Sequence, residues 1–263
     1  AGGVIAMDRD ASLCGEVVRA RFVAAGNDSV LTRLEASDFV HGSDGRSGSL
    51  WCDDLAVDFA PGTDGPSRSD PRTLTARGLV AFGRGDSFLR TEWLEASMGL
   101  DDAGKTQVQT VRARDDVRFS RADGVRAEAD EMRAEVASEV VDLLGREVVV
   151  GKGPSRVIGS QIRLVGAARS MEVFGPGRFA HEETRADGSA GPRASAKWTR
   201  GMTFDDVSGR LECRGDAVAV VFPDRMSHRT SEAEAVTIEM TPGAGSEQVA
   251  ASDHRGEAER KPD

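Results

Sequence analysis

ADGVRAEADEMRAEVASEVVDLLG, residues 122–145, decides the fold, because it can be read as one helix or as strands. Ala and Glu dominate it, and Val125, Met132, Val136, Val140 and Leu144 would share a helical face, so propensity and amphipathicity both favour a helix. The same residues also alternate. After the acidic pair Asp130-Glu131, Met132, Ala134 and Val136 take every second place, the period that wets one face of a strand and buries the other. The strand reading prevails because this pattern recurs along the chain in segments with no helical character.

Working outward, the acidic or polar lead followed by alternating apolar residues appears as CDDLAVDF (52–59), EWLEASM (92–98), DEMRAEV (130–136), SQIRLVG (160–166), GMTFDD (201–206) and EAVTIEM (234–240). Its anchors Leu55, Leu94, Met132, Ile162, Met202 and Val236 are 39, 38, 30, 40 and 34 residues apart, the cadence of a degenerate repeat. A second stripe answers the first: apolar, any, small, any, polar or Gly, any, apolar. It runs Leu74, Ala76, Val80, Phe82, then Val111, Ala113, Val117, Phe119, then Leu211, Cys213, Ala217, Ala219, with related stretches LCGEVVRARF (13–22), LLGREVVV (143–150) and VFGPGRFAH (173–181). Each unit therefore reads as two strands joined by a polar turn such as RADG (121–124), GKGPS (151–155) or DDVSG (205–209). A lone hairpin is marginal in water, whereas stacked hairpins bury a continuous apolar face. The chain is expected to be all-β, a stack of repeating antiparallel hairpins.

The unit of acidic lead, alternating strand, turn and apolar-any-small-any-Gly, best seen in residues 127–150 and 202–220, resembles the repeat of the OstA-like family. That family comprises the periplasmic components of lipopolysaccharide transport, the LptA, LptC and LptD amino-terminal β-jellyrolls. The similarity covers roughly residues 50–240, with a weaker unit before it. It implies an open β-jellyroll whose apolar groove between two sheets holds acyl chains, and a non-catalytic role in the periplasm or cell envelope. The partners it implies are lipopolysaccharide or a related glycolipid, and related jellyrolls or further copies of the chain joined by edge strands. Phe59, Phe82, Leu94, Met98, Phe119, Met132, Val148, Ile162, Leu164, Phe179, Met202, Phe204 and Ile238 are the inward residues expected to line such a groove. The competing reading is a structural spacer or interaction domain of the cell envelope, with a filled, solenoid-like core. Ala96, Ala134, Gly166 and Ala217 among the inward positions lean toward a groove. The chain is longer than the small family members and carries two polar inserts, 60–72 and 182–197, read as surface loops within an array spanning 1–240. Residues 241–263 are polar and aperiodic and read as a disordered tail or linker. The start at Ala-Gly-Gly, with a first unit that looks truncated, suggests a piece of a larger protein.

Chemistry-bearing motifs are sparse. A net charge of -10, with Arg interleaved among Asp and Glu, disfavours a nucleic-acid scaffold and describes a solvated sheet face. No apolar run is long enough to span a bilayer as a helix. Gly99 to Thr106 fits the phosphate-loop pattern GxxxxGK[ST], but Asp101 and Asp102 would lie inside the phosphate cradle and the following residues alternate like a strand. His41, His181, His228 and His254 are scattered, and the carboxylate pairs Asp53-Asp54, Asp115-Asp116 and Asp205-Asp206 are adjacent in sequence, so no metal, cofactor or catalytic centre is expected. Cys14, Cys52 and Cys213 allow at most one disulfide, with Cys14 to Cys52 the candidate. Cys14 and Cys213 are read as occupying the same small buried slot of their units.

Overall fold

The computed structural model describes residues 3–6, 12–25, 28–44, 48–61, 69–101, 106–184, 190–222, 229–239 and 250–253. These are strands and the short turns between them, with no helix among the described residues, so residues 127–150 are two strands. The chain forms two compact units, residues 1–143 and 144–263, where the repeat cadence alone drew a single array.

The first unit contains β1 (Gly3–Ala6), β2 (Ser12–Gly15), β3 (Val17–Ala25), β4 (Asp28–Ser43), β5 (Gly48–Pro61), β6 (Ser69–Arg84), β7 (Ser87–Leu100), β8 (Thr106–Arg121) and β9 (Val125–Glu135). From β3 to β9 each strand pairs antiparallel with the next. The two recurring stripes are the two kinds of strand in this meander: the acidic lead marks β5, β7 and β9, and the small-residue form marks β6 and β8. Their anchors interleave in one cross-strand row, Ala36, Leu55, Ala76, Leu94, Ala113, Met132, every member buried. Large residues alternate with small ones along the row, which lets neighbouring side chains fit without voids.

Next to that row every long strand turns a corner. Asp38 and Phe39 of β4 oppose Asp53 alone, Gly78 and Leu79 of β6 oppose Glu92 of β7, and Asp115 and Asp116 of β8 oppose Asp130 of β9. All six doubled residues have positive φ, from 43° at Leu79 to 70° at Gly78, and a bulge of this kind bends the strand and sharpens its twist. On the singly occupied strands the bend breaks the period of two. Cys52 and Leu55 are both buried although three residues apart, as are Thr91 with Leu94 and Ala129 with Met132. The acidic lead is thus the residue on the outside of the corner, opposite two left-handed residues. At the β6 corner Glu92 accepts the Leu79 backbone N–H at 3.5 Å, and a Cβ on Gly78 would overlap the Asp53 carboxylate.

The second unit holds most of β10 (Val140–Lys152), then β11 (Ser155–Val165), β12 (Ser170–Thr184), β13 (Ala190–Trp198), β14 (Gly201–Asp205), β15 (Arg210–Phe222), β16 (Arg229–Glu239) and β17 (Ala250–Asp253). Its row is Ile162, Val173, Met202, Cys213, Val236, each no more than 3% exposed. Gly215 and Asp216 opposite Glu234 repeat the corner, with φ of 79° and 42°. β13 and β14 are one strand interrupted at Thr199 and Arg200, whose backbone N–H groups still donate to Gly215 and Arg214.

Several expectations shift. The insert 60–72 is mostly β-structure at its ends, with Pro61 paired to Ser69, and only 62–68 lie outside the described residues. Much of 182–197 is strand rather than loop: Ala194, Ala196 and Trp198 are buried in alternation with exposed Arg193, Ser195 and Lys197, a pattern disguised by small residues and flanking Gly and Pro. In the stretch read as a tail, Ala250–Asp253 pairs with Val236 to Glu239, and 241–249 and 254–263 lie outside the described residues.

Candidate functional site

Beyond the corner in the first unit a second set of inward rows continues: Gly42, Leu50, Phe82, Leu89, Phe119, Ala127 on one side, and Leu34, Val57, Leu74, Ala96, Val111, Ala134 on the other. The rows beside the corner are buried, whereas Leu74, Phe82, Met98, Val108 and Val111, farther along the strands, are only half-buried. Between them lies a groove of about 350 Å³, walled by Leu13, Leu50 and Phe82 on one side of the bend and by Leu55, Val57, Leu74, Leu94, Ala96, Met98 and Val111 on the other. Its polar residues are Ser12, Ser43, Asp44, Ser49, Arg84, Thr106 and Gln107. Apolar surface left open inside a fold is what a ligand site requires.

Of the expected lining residues, Phe82, Leu94 and Met98 border this groove. Phe119 and Met132 stand on the same inward face but outside the groove wall, and half-buried Phe59 lies near the end of β5. In the second unit Val148, Ile162, Phe179, Met202 and Ile238 are buried core, and Leu164 and Phe204 are half-buried members of a row with Met171 and Leu211. Leu50, Leu74, Val111 and Arg84 were not singled out. Leu74 and Val111 open the second stripe, so their register with Val57 and Ala96 was available in the repeat. Arg84 carried no pattern of its own.

The outer face is a different environment. A cleft of about 400 Å³ is bordered by Arg19, Arg33, Arg77, Glu35, Asp54 and Asp58. Arg33 bonds Glu35 through Nε at 2.8 Å and Asp58 through Nη1 at 2.7 Å. The Arg33 bond holds the Glu35 carboxyl below its ordinary value. This is a balanced, solvated ion network, which contributes little per pair. Corner carboxylates Asp53 and Asp54 are both exposed, because the slipped period turns two successive side chains outward.

Cys213 fills the small slot of its row and is fully buried, but Cys14 does not: Val18 stands opposite Ala36 in the corresponding row, and half-buried Cys14 pairs in register with His41 on the outer face. Cys52, beside Val40, faces inward. Cys14 and Cys52 therefore stand on opposite faces of the sheet, and the structure holds all three as free thiols. Burial pushes Cys52 and Cys213 up to about 12, with neighbouring carboxylates adding to it, so both behave as small apolar residues. The phosphate-loop string joins two antiparallel strands, with Leu100 paired to Thr106 and residues 102–105 outside the described ones. A strand, β8, follows the string from Thr106, so no helix N-terminus stands there to favour phosphate. His41 stacks on Trp51 at 4.8 Å, and His181 Nδ1 bonds Ser155 Oγ at 2.9 Å, while His228 and His254 lie outside the described residues. Among the described residues no helix is long and apolar enough to cross a membrane.

No protein-family model matches the chain, and no curated protein matches it.

Proposed function

We propose that the chain is a non-catalytic lipid-binding module of the cell envelope, an open β-jellyroll of the OstA-like kind that shields acyl chains of a lipopolysaccharide-type glycolipid from water. The observation that carries this reading is the apolar groove of the first unit, whose half-buried Leu74, Phe82, Met98 and Val111 leave apolar surface inside the fold. A filled spacer would bury these residues as completely as the corner row. The second reading, a structural spacer, draws on the corner rows that both units pack shut, Ala36 to Met132 in the first and Ile162 to Val236 in the second.

Transfer between modules would use sheet edges. β3 pairs only with β4 in the described register and exposes Phe22 at 60% and Val23 at 56%, with Arg19 and Arg21 on the same strand. Residues 230–235 of β16, beyond the reach of β17, carry Glu232 and Glu234. An uncovered strand edge is a template for another strand, and opposite charges favour β3 of one copy beside β16 of the next. Thr237 is a poor place to probe that edge, because it is buried and paired to Glu212 on one side and Ser252 on the other.

Mass spectrometry of lipid co-purifying with the native protein tests the groove. Acyl lipid bound to wild type and lost from Phe82→Asp is the expected result, since a carboxylate among acyl chains is desolvated without a partner. A folded Phe82→Asp variant that keeps its lipid, or a wild type that crosslinks to no lipid from Met98 or Leu74, would overturn the proposal.

A further inference from the structure

The outer face of β5, β6 and β7 carries side chains that neither the groove nor the strand edges use. Ala81 of β6 stands in register between Trp51 of β5 and Arg90 of β7, and Gly83 stands between Ser49 and Phe88. Nearer the corner, Asp53 and Glu92 flank the bulge residue Leu79. The intervening Leu50, Cys52, Val80, Leu89 and Thr91 are buried, so alternation turns this set out of the sheet. At two successive outward places β6 offers nothing larger than a methyl group, while the strands on either side of it stand two strand spacings apart, about 10 Å. A trough therefore follows β6, walled by Ser49, Trp51 and Asp53 on one side and by Phe88, Arg90 and Glu92 on the other.

Trp51 sets the chemistry of this trough. His41 of β4 stacks on it with centroids 4.8 Å apart and planes 21° from parallel. That stack holds the indole from the side away from β6 and turns its other face over Ala81, and Trp51 is still 46% exposed. Phe88, 42% exposed, borders the same floor: a Cβ at Gly83 would lie 3.8 Å from Phe88 Cδ2 and 3.4 Å from Ser49 Oγ, in ordinary contact with both. Two rings along one trough are a surface for stacking. The polar groups beside them have both signs: Asp53 and Glu92 accept hydrogen bonds, Arg90 donates them and Ser49 does either. Arg90 makes no side-chain hydrogen bond or ion pair among the described residues. Its register partner on β8 is another guanidinium, Arg118, which Asp116 holds at 3.1 Å.

This mixture of charge is complementary to a neutral ligand whose hydroxyls both donate and accept. It opposes a nucleic-acid backbone, whose regular negative charge Asp53 and Glu92 would repel. A pyranose with equatorial hydroxyls has the matching form, C–H bonds on its faces and hydroxyls at its rim, and a β-linked chain of such rings is extended, as a trough along a strand requires. We infer that this trough binds a neutral saccharide of β-linked pyranoses, one ring stacked on the free face of Trp51 over Ala81, with its hydroxyls held by Arg90, Glu92 and Ser49. The site lies across the sheet from the apolar groove and does not depend on the lipid-binding reading.

Isothermal titration and tryptophan fluorescence of the full chain test it with cellohexaose and chitohexaose, and with a thymidine dodecamer as the polyanion for comparison. Of the three tryptophans, Trp198 is buried and Trp93 lies under Arg114, so Trp93→Phe leaves Trp51 as the exposed reporter. The expected result is saturable binding of at least one of the saccharides with a change in Trp51 emission. Trp51→Ala should weaken it by about tenfold or more. Ala81→Ile raises the floor with a side chain that suits a strand and should weaken it as well. Arg90→Gln, an exposed change with no described contact to lose, should do the same and decides the matter if circular dichroism shows either of the others misfolded. Failure of both saccharides to bind, binding that the folded variants leave unchanged, or tighter binding of the thymidine dodecamer than of either saccharide would overturn the inference and leave the lipid-binding reading untouched.

Discussion

Leu79 shows how much local strain the fold accepts to turn its corners. It sits at φ 43°, 67% exposed, next to Gly78 at φ 70°. A left-handed conformation costs an ordinary residue roughly 1 kcal/mol, and Asn far less. Leu79→Asn is therefore expected to stabilise the protein by about 1 kcal/mol, read as a higher urea midpoint at unchanged slope. Gly78→Ala should act in the opposite sense, because the added Cβ meets both the positive φ and the Asp53 carboxylate. A loss of about 1 kcal/mol or more is expected, and an unchanged midpoint in both variants would show that the corner is not strained. These two residues were legible only in part: the Gly of the second stripe was visible, but its partnership with an acidic lead on the neighbouring strand was not. Single-strand periodicity does not say which residue stands opposite a bulge.

At the scale of elements, the turn between β14 and β15 is tied down by carboxylates. Asp205 Oδ1 accepts the backbone N–H groups of Val207 at 2.8 Å and Ser208 at 3.2 Å. Asp206 accepts Arg169 Nη2 at 2.7 Å and Lys152 Nζ at 3.3 Å. Both carboxyls lie below their ordinary value of 3.8, Asp205 chiefly through the backbone bonds from Ser208 and Val207, Asp206 chiefly through the Arg169 bond. A depressed carboxyl pKa contributes stability that is fully present above the ordinary value and is lost as pH falls through the lower, folded one. Protection of the Val207 and Ser208 amides, taken against the intrinsic exchange rate at each pH, is thus expected to fall on acidification below that range, and Asp205→Asn should flatten this dependence. Protection that stays constant to the acid end in wild type would exclude it. The polar turn DDVSG was readable from its Asp, Ser and Gly. Its clamp by Lys152 and Arg169 was not, because those residues are 54 and 37 positions away in sequence.

At the scale of the whole molecule, the proposed pairing of β3 with β16, along edges that no described strand covers, predicts association that depends on charge. Sedimentation at rising concentration is expected to show self-association of wild type, weakened by Arg19→Glu and partly restored when Glu232→Arg is added. A strictly monomeric wild type, or a double variant no better than Arg19→Glu alone, would count against it. Such a pair isolates the cross-edge interaction from each side's own surroundings.

The amino-acid sequence by itself determined that the chain is all-β and antiparallel, because a period of two repeated at hairpin spacing has no helical solution that buries the anchors Leu55, Leu94, Met132, Ile162, Met202 and Val236 together. Between bulges it also determined which residues of a strand share a face, since alternation there needs no reference to a partner strand. The tertiary structure alone decided that the chain divides near residue 143, that 190–198 is strand, that Cys14 and Cys52 face apart, and that a groove stays open in the first unit beside its buried corner row. Those outcomes depend on cross-strand register and on the bulges that bend β4 to β9 in the first unit. Register is a relation between residues far apart in the chain, and a single bulge changes which face the next residues take.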